Sequence, residues 1–300
     1  MAKISLVKRY LSHPLEVLGV ALFHYGMKLP SLDRASDGGG AFLRTLGPLY
    51  KPLEKMALFN VKGCFPEHSQ ADQRQILKGM WDNLGRVLAE YSHLPELALS
   101  LDFERVEIVG AEHVPQNRTQ PVLFFTAHYA NWEIAALSIL HLGLPVKLVY
   151  RAASNPLVDR LMRGIRCQGI PELVPLGVAG ARSLLQEMHQ NSAILTLLDQ
   201  RANNGLPVPF FGRPALTSPG IGHLALRKHY PLVPVQVLRH PGTARFKVRF
   251  YPPLPLPQEG SQEERLLALM ANVNQQIETW VRERPDLWFW LHSRWGKLAS

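Results

Sequence analysis

The chain has 300 residues, 46% of them hydrophobic, enough to bury a sizeable core in one large domain or two small ones without disulfides or metals. Its two cysteines, Cys64 and Cys167, lie far apart and form no Cys-x-x-Cys spacing, which gives no sign of a disulfide framework or zinc site and fits a reducing compartment. A formal charge of +9 favours anionic partners such as phospholipid head groups, nucleic acid or an acidic carrier protein, and charge alone does not choose among them.

Residues 1–62 hold nine basic side chains, from Lys3 to Lys62, against the acids Glu16, Asp33, Asp37 and Glu54. The apolar run LEVLGVALFHYGM, Leu15 to Met27, follows Pro14 and is broken by Glu16 and His24. It is too short and too polar for a spanning helix, which needs about 20 apolar residues, and no small-residue cleavage site follows it. The expectation is an interfacial amphipathic helix over residues 1–30, basic on its wet side, with a helix packed on the body as the alternative. Gly38 to Gly40 reads as a local flexible turn, and helical periodicity follows over 41–60 and 69–94. The second helix opens at Ser69, puts Ile76, Leu77, Met80, Trp81, Leu84, Val87, Leu88 and Tyr91 on one stripe, and stops at Pro95.

From there the pattern changes to alternation. Strand-like runs at Val106–Val109, Val122–Thr126, Val146–Tyr150, Ile194–Leu198, Leu232–Leu238 and Phe246–Tyr251 interleave with helical stretches near 131–142, 155–168, 178–190 and 218–229. This order implies an α/β fold with a mixed central sheet flanked by helices. A last helix opens on the capping box Ser261-Gln-Glu-Glu264 and runs to about Arg284. The expected organisation is an N-terminal helical, membrane-associating segment over 1–65 and a catalytic domain over 66–300.

The chemistry sits where the strand PVLFFTA gives way to His128-Tyr-Ala-Asn-Trp-Glu133 and then to the apolar helix IAALSILHL. Five residues along a regular helix turn the side chains about 140° apart, so His128 must precede the helix for the two groups to converge. In that arrangement Glu133 accepts the Nδ1 proton and Nε2 takes a proton from an attacking hydroxyl. Amides at the helix start would face the developing oxyanion. The spacing alone is weak, because 12 histidines and 24 acids in 300 residues supply about one chance match, and the chain has one. Its strand-to-helix setting is the stronger signal.

Six ordered blocks then carry a resemblance: NLGRVLAEY (Asn83 to Tyr91), AHYANWE (Ala127 to Glu133), YRAASNPLVD (Tyr150 to Asp159), LLDQR (Leu197 to Arg201), VPFFG (Val208 to Gly212) and DLWFWLHSRW (Asp286 to Trp295). In these the chain resembles the lipid A late acyltransferases, of lauroyl and myristoyl transferase type, a branch of the lysophospholipid acyltransferase superfamily with its His-x4-Asp/Glu signature. The resemblance implies a glycerol-3-phosphate acyltransferase-like fold and His128 and Glu133 as catalytic pair. It implies acyl carrier protein or acyl-coenzyme A as donor, a membrane glycolipid acceptor, and a place on the cytoplasmic face of the bacterial inner membrane, peripheral or monotopic. Asn131, Trp132, Arg151, Asp199, Gln200, Arg201, His292 and Arg294 are its candidate substrate-binding residues; no metal and no cofactor are implied.

Read from the residues, Arg151 follows the strand VKLVY and is expected beside His128, where a guanidinium can clamp a phosphate; a surface salt bridge is the plainer reading. Asp199, Gln200 and Arg201 close the strand ILTLL and should reach the same sheet edge, although Asp199 also suits a turn. Phe210, Phe211 and Gly212 among Pro207, Pro209 and Pro214 read as a rigid loop, more as packing than as a site wall. Trp288, Trp290, His292, Arg294 and Trp295 alternate as in a strand-like segment with one buried face. Asn83, Arg86 and Glu90 share a helix face, and the family pattern turns Arg86 and Glu90 inward. A non-catalytic lipid-binding protein and a thioesterase stand as alternatives, as do other lipid acceptors: a lysophospholipid, an ornithine lipid or a phosphoinositol mannoside. Nucleic-acid binding is not expected, for want of a binding motif or a basic run. The absence of GxSxG, P-loop, GxGxxG after a strand and HExxH removes the usual serine-hydrolase, nucleotide and zinc-protease readings.

Overall fold

A computed structural model describes residues 12–99, 105–115, 119–170, 172–177, 184 and 192–296. Lys3, Lys8 and Arg9 and nearly all of the helix expected over 178–190 lie outside the described residues. Five helices come first: α1 (His13–Met27), α2 (Leu32–Leu46), α3 (Lys51–Cys64), α4 (Gln70–Glu90) and α5 (Leu94–Leu99). The flexible turn expected at Gly38 to Gly40 is instead inside α2. Gly39 and Gly40 are buried there against α4, and a methyl at Gly39 or at Gly85 would collide with the other glycine's backbone. These glycines serve close helix packing, not chain reversal, and the helix carries their lower propensity because the approach needs it.

The body alternates as expected, with β1 (Val106–Val109), β2 (Val122–Thr126), α6 (Glu133–His141), β3 (Val146–Tyr150), α7 (Pro156–Arg166), β4 (Glu172–Pro175), β5 (Ala193–Leu197), β6 (Leu206–Phe210), β7 (Arg213–Thr217), α8 (Gly220–Lys228), β8 (Leu232–Arg239), β9 (Phe246–Phe250) and α9 (Gln262–Glu283). Seven strands form one mixed sheet in the order β1-β9-β8-β2-β5-β3-β4, in which only β8 and β9 run antiparallel. Ser69 and Ser261 close the capping boxes of α4 and α9.

Right-handed crossovers place α6 and α8 on opposite faces, because β2 connects towards β3 while β5 connects the other way, towards β8. β2 and β5 are therefore neighbours whose outgoing connections diverge, the topological switch point of an open α/β sheet. Their carboxyl ends open the crevice into which His128 and Asp199 emerge. On the α8 face, Trp280 of α9 stacks on Phe125 of β2 at 5.9 Å.

Two elements differ from the sequence reading. The rigid loop expected at Phe210 to Gly212 is a β6–β7 hairpin whose two-residue turn puts Phe211 and Gly212 at φ 50° and 68°, the geometry that matches strand twist. The C-terminal segment is a short 3₁₀ turn, Pro285–Leu287, followed by irregular chain that touches the sheet edge through one bridge, Tyr129 to Trp288. Trp288, Trp290 and Arg294 are buried there, the buried face that their alternation implied.

Candidate active site

His128 leaves β2 at the switch point and is fixed twice by Asp199, which leaves β5 beside it. Its backbone N–H donates to Asp199 Oδ2 at 3.0 Å, and its ring Nδ1 lies 2.8 Å from Oδ1. The indole of Trp288 donates to Oδ2 at 2.8 Å, and His292 Nε2 stands 3.6 Å from the same oxygen. Asp199 is fully buried. Burial alone raises its pKa, but the charge and hydrogen bond of His128, with His292 behind them, outweigh this and hold it well below the usual carboxylate range. A carboxylate at Nδ1 fixes the tautomer and leaves Nε2 as the lone-pair site. Gln200 Nε2 lies 3.3 Å from that nitrogen, placed to donate. Burial, partly offset by Asp199, brings His292 down to about 4, so it sits neutral beside the carboxylate at neutral pH. Trp132 meets the His128 ring edge-on at 5.0 Å and Phe289 lies at 6.2 Å, leaving His128 partly open to solvent.

The Nδ1 partner is thus Asp199, where Glu133 was expected. Ala130 adopts a left-handed φ of 48°, held by its N–H on the Leu287 carbonyl and by Asn83 on its own carbonyl. After that bend Glu133 opens α6 with its carboxylate buried, accepting from Tyr91 Oη at 2.6 Å and from Arg166 Nη2 at 2.6 Å and Nε at 3.2 Å. Burial lowers the Arg166 pKa, and the Glu133 charge, Tyr91 and the hydrogen bond to Glu133 together more than restore it; desolvation and the same carboxylate raise that of Tyr91. Glu133 still reaches His128 indirectly, since Trp132 Nε1 donates to Tyr91 Oη at 3.2 Å while its ring packs on the imidazole.

The amides expected to face an oxyanion are largely engaged. His128 N–H is on Asp199, Tyr129 on Ala127 O, Ala130 on Leu287 O, Glu133 on Asn131 Oδ1 and Ile134 on Asn131 O. Asn131, expected on substrate, is fully buried and spends its amide on Glu90 at 2.9 Å. Glu90 in turn pairs with buried Arg239, and Asn83 and Arg86 are buried on the same helix face, as the family pattern had it. Arg294 is fully buried too. Its guanidinium donates to the carbonyls of Gln200 and Leu216 and to Thr217 Oγ1 at 3.3, 2.8 and 2.8 Å, and burial brings its pKa down to about 10. It clamps the loop after β5 to the hairpin and is not presented to a phosphate. Arg151 and Arg201 are exposed, but β5 lies between the Arg151 strand and that of His128. Of the sequence candidates the structure therefore gathers His128, Trp132, Asp199, Gln200 and His292.

What the sequence reading missed is the partner assignment and the role of Tyr91, Arg166 and Trp288. Tyr91 and Trp288 stand within the recognised blocks, whereas Arg166 looked like one more basic residue near the end of a helix. Among the described residues His128, Asp199 and His292 also form a cluster whose ligand atoms lie within 4.8 Å of one another, a grouping that suits a cation. The Asp199 oxygens already accept from Nδ1, a backbone amide and an indole, while His292 Nε2, 3.6 Å from Oδ2, has no hydrogen-bond partner among the described residues.

Residues 3–297 match the family model described as bacterial lipid A biosynthesis acyltransferase. The chain is similar to a lipid A biosynthesis acyltransferase of Haemophilus influenzae, 23% identical over 252 residues, covering 82% of this chain and 76% of that one. It is 24% identical to the lipid A biosynthesis myristoyltransferase of Escherichia coli, covering 83% and 76%, and 23% identical to that organism's lauroyltransferase, covering 81% and 79%. Among solved structures it matches a 1-acyl-sn-glycerophosphate acyltransferase of Thermotoga maritima over 89% of this chain and 97% of that one, at 13% identity and a TM-score of 0.37. With the match running nearly end to end, this chain belongs to the bacterial lipid A biosynthesis acyltransferase family.

Proposed function

We propose that the protein moves a fatty acyl chain from an acyl carrier protein or coenzyme A thioester onto a hydroxyl of a lipid A precursor, with His128 as general base and Asp199 as its partner. Family membership makes it an acyltransferase acting on a lipid acceptor; the donor, the acceptor and the residue roles are the proposal. The observation that carries it is the 2.8 Å contact between His128 Nδ1 and a buried, ionised Asp199. This leaves Nε2 to receive a proton. As the acceptor hydroxyl gives that proton to Nε2, its oxygen forms a bond to the thioester carbonyl carbon. The Gln200 amide is the nearby donor for the resulting oxyanion. The carbon–sulfur bond then breaks, the imidazolium returns the proton to sulfur, and thiol and ester leave. Asp199 stabilises the imidazolium without itself taking the proton. Glu133, through Tyr91 and Trp132, positions the imidazole.

The membrane surface belongs to the same proposal. Among the described residues no helix is long and apolar enough to cross a membrane. On α1, Leu15, Leu18, Leu22 and Tyr25 point outward, with Leu29 just beyond it 88% exposed, a helical stripe facing away from the body. Phe42, Leu46, Leu49, Tyr50 and Phe59 continue this exposed apolar surface over α2 and α3, with Lys51, Lys55 and Lys62 also exposed. Such a surface suits the interface of an anionic bilayer.

The function is tested by mass spectrometry of lipid A from a strain lacking the gene. Lipid A short by one secondary acyl chain, restored by the wild-type gene and not by His128→Ala, is the expected result. Unchanged lipid A with a change in another lipid class would move the acceptor elsewhere.

A further inference from the structure

Where α4 meets the sheet edge, a buried ion pair stands outside the acyl-transfer chemistry. Arg239 ends β8, the parallel neighbour of β2, so its side chain starts at the edge from which His128 emerges. Only 3% of that side chain is exposed, and the Glu90 carboxylate it pairs with is wholly buried. Taking two charges out of water is costly, and an apolar pair of similar volume is often as stable. Stability alone does not account for the pair, and its hydrogen bonds point to another role.

The guanidinium reaches the turn after His128 by two routes. Its Nε donates to Asn83 Oδ1 at 2.9 Å, and the Asn83 amide donates to the carbonyls of Ala130 and Leu287, each at 3.3 Å. Its two Nη groups donate to the two oxygens of Glu90, whose Oε2 also accepts the Asn131 amide at 2.9 Å. Asn131 Oδ1 then accepts the Glu133 N–H, the first amide of α6, at 3.2 Å. One route therefore ends on Ala130, at its left-handed φ of 48°, and the other on Asn131. An alanine side chain gives no local support to a left-handed backbone, so the bend is imposed from outside. The planar fork of an arginine suits this, because one rigid group fixes two partners at once. The Leu287 carbonyl, shared by Asn83 and the Ala130 N–H, immediately precedes Trp288, whose indole is on Asp199. The same clamp thus sets the register of both chain segments that meet at the catalytic carboxylate.

We propose that Arg239 is a positioning residue, which through Asn83 and Glu90 imposes the bend at Ala130 and Asn131 that turns the His128 imidazole onto Asp199. It touches neither substrate nor reacting atoms. Its kinetic consequence rests on the acyl-transfer reading, whereas the orientation of the imidazole can be read without it.

The test uses full-length wild type, His128→Ala, Arg239→Lys, Asn83→Ala and the double variant Asn83→Ala with Ala130→Gly, each with a thermal melt. One reading is the low-field proton resonance of a histidine Nδ1–H bonded to a carboxylate, assigned to His128 by its loss in His128→Ala. The other is kcat and acceptor KM for transfer of labelled acyl groups from acyl carrier protein to a lipid A precursor. Arg239→Lys keeps the charge opposite Glu90 but lacks the fork that also holds Asn83. While folded, it and Asn83→Ala should shift or lose the resonance and lower kcat about tenfold or more, the scale of a small misplacement of a reacting group. Acceptor KM should stay within about twofold, since the lost interaction acts on the transition state. Ala130→Gly, which accepts a left-handed φ without steric cost, should restore the resonance and much of kcat to Asn83→Ala. A purely structural role would lower the melts and leave the resonance of the folded protein in place. Folded variants with the wild-type resonance and kcat would overturn the inference, as would a loss confined to KM. If Arg239→Lys does not fold, Asn83→Ala carries the test with the ion pair intact. If wild type transfers no acyl group while the variants move the resonance as expected, the acyl-transfer reading falls and the positioning of His128 stands.

Discussion

The Glu133 carboxylate accepts Tyr91 and Arg166, both at 2.6 Å and both inside the fold, and those partners decide what its loss would do. Glu133→Gln leaves the Arg166 guanidinium, little exposed, without its counter-ion, and breaking a buried pair in this way costs about 3–5 kcal/mol. The melting temperature should fall by several degrees, and adding Arg166→Met should recover much of it, because an apolar pair avoids the stranded charge. An unchanged melt for the single variant would show that the pair is not structural. His292 offers a prediction in pH. Its folded pKa of about 4 lies below the usual 6.5, so the unfolded chain binds the proton first and stability falls as pH drops from 6.5 towards 4. The slope is about 1.4 kcal/mol per pH unit for one such group. His292→Asn should flatten the decline of melting temperature across that window, and an identical slope in the variant would assign the proton elsewhere. Asp199, with its pKa depressed, adds to acid sensitivity only below its ordinary carboxylate range.

At the level of elements, most of the body was legible because periodicity and caps are local. Ser69 and Ser261 announced α4 and α9, and β2 and β3 ended where the apolar runs ended. The misreadings share a cause, which is that the deciding contact is distant in sequence. Gly38 to Gly40 looked like a turn until α4 supplied the surface on which Gly39 and Gly40 pack, Gly85 against Gly39 and Asp82 and Arg86 against Gly40. The prolines of β6 and β7 suggested a loop, although a separate two-stranded hairpin tolerates them where an interior strand would not. Short β4, ending in a proline at the sheet's edge, carried no strand signal of its own. For α1, the outward stripe of Leu18 and Leu22 predicts that Leu18→Asp with Leu22→Asp weakens flotation with anionic vesicles by tenfold or more, each charge costing about 2–3 kcal/mol at an apolar interface. Full retention would place the membrane contact on another surface.

For the molecule as a whole, the site follows from topology. Connections diverge at β2 and β5, and the residues at their ends meet across 71 positions of sequence. His128 was readable from its strand-to-helix setting and from the blocks around it. Its partner was not, because a five-residue spacing invites a local pairing and only the sheet order brings Asp199 alongside. Glu133 keeps its place in the motif but meets His128 only through Tyr91 and Trp132. The most direct test is transfer of labelled acyl groups from acyl carrier protein to a lipid A precursor by His128→Ala and Asp199→Asn, each with a thermal melt. The account predicts folded proteins, a loss of about 10²- to 10⁴-fold for His128→Ala, and a loss of similar order for Asp199→Asn, where the wrong tautomer is allowed. A normally folded His128→Ala that kept more than about a tenth of wild-type transfer would contradict it.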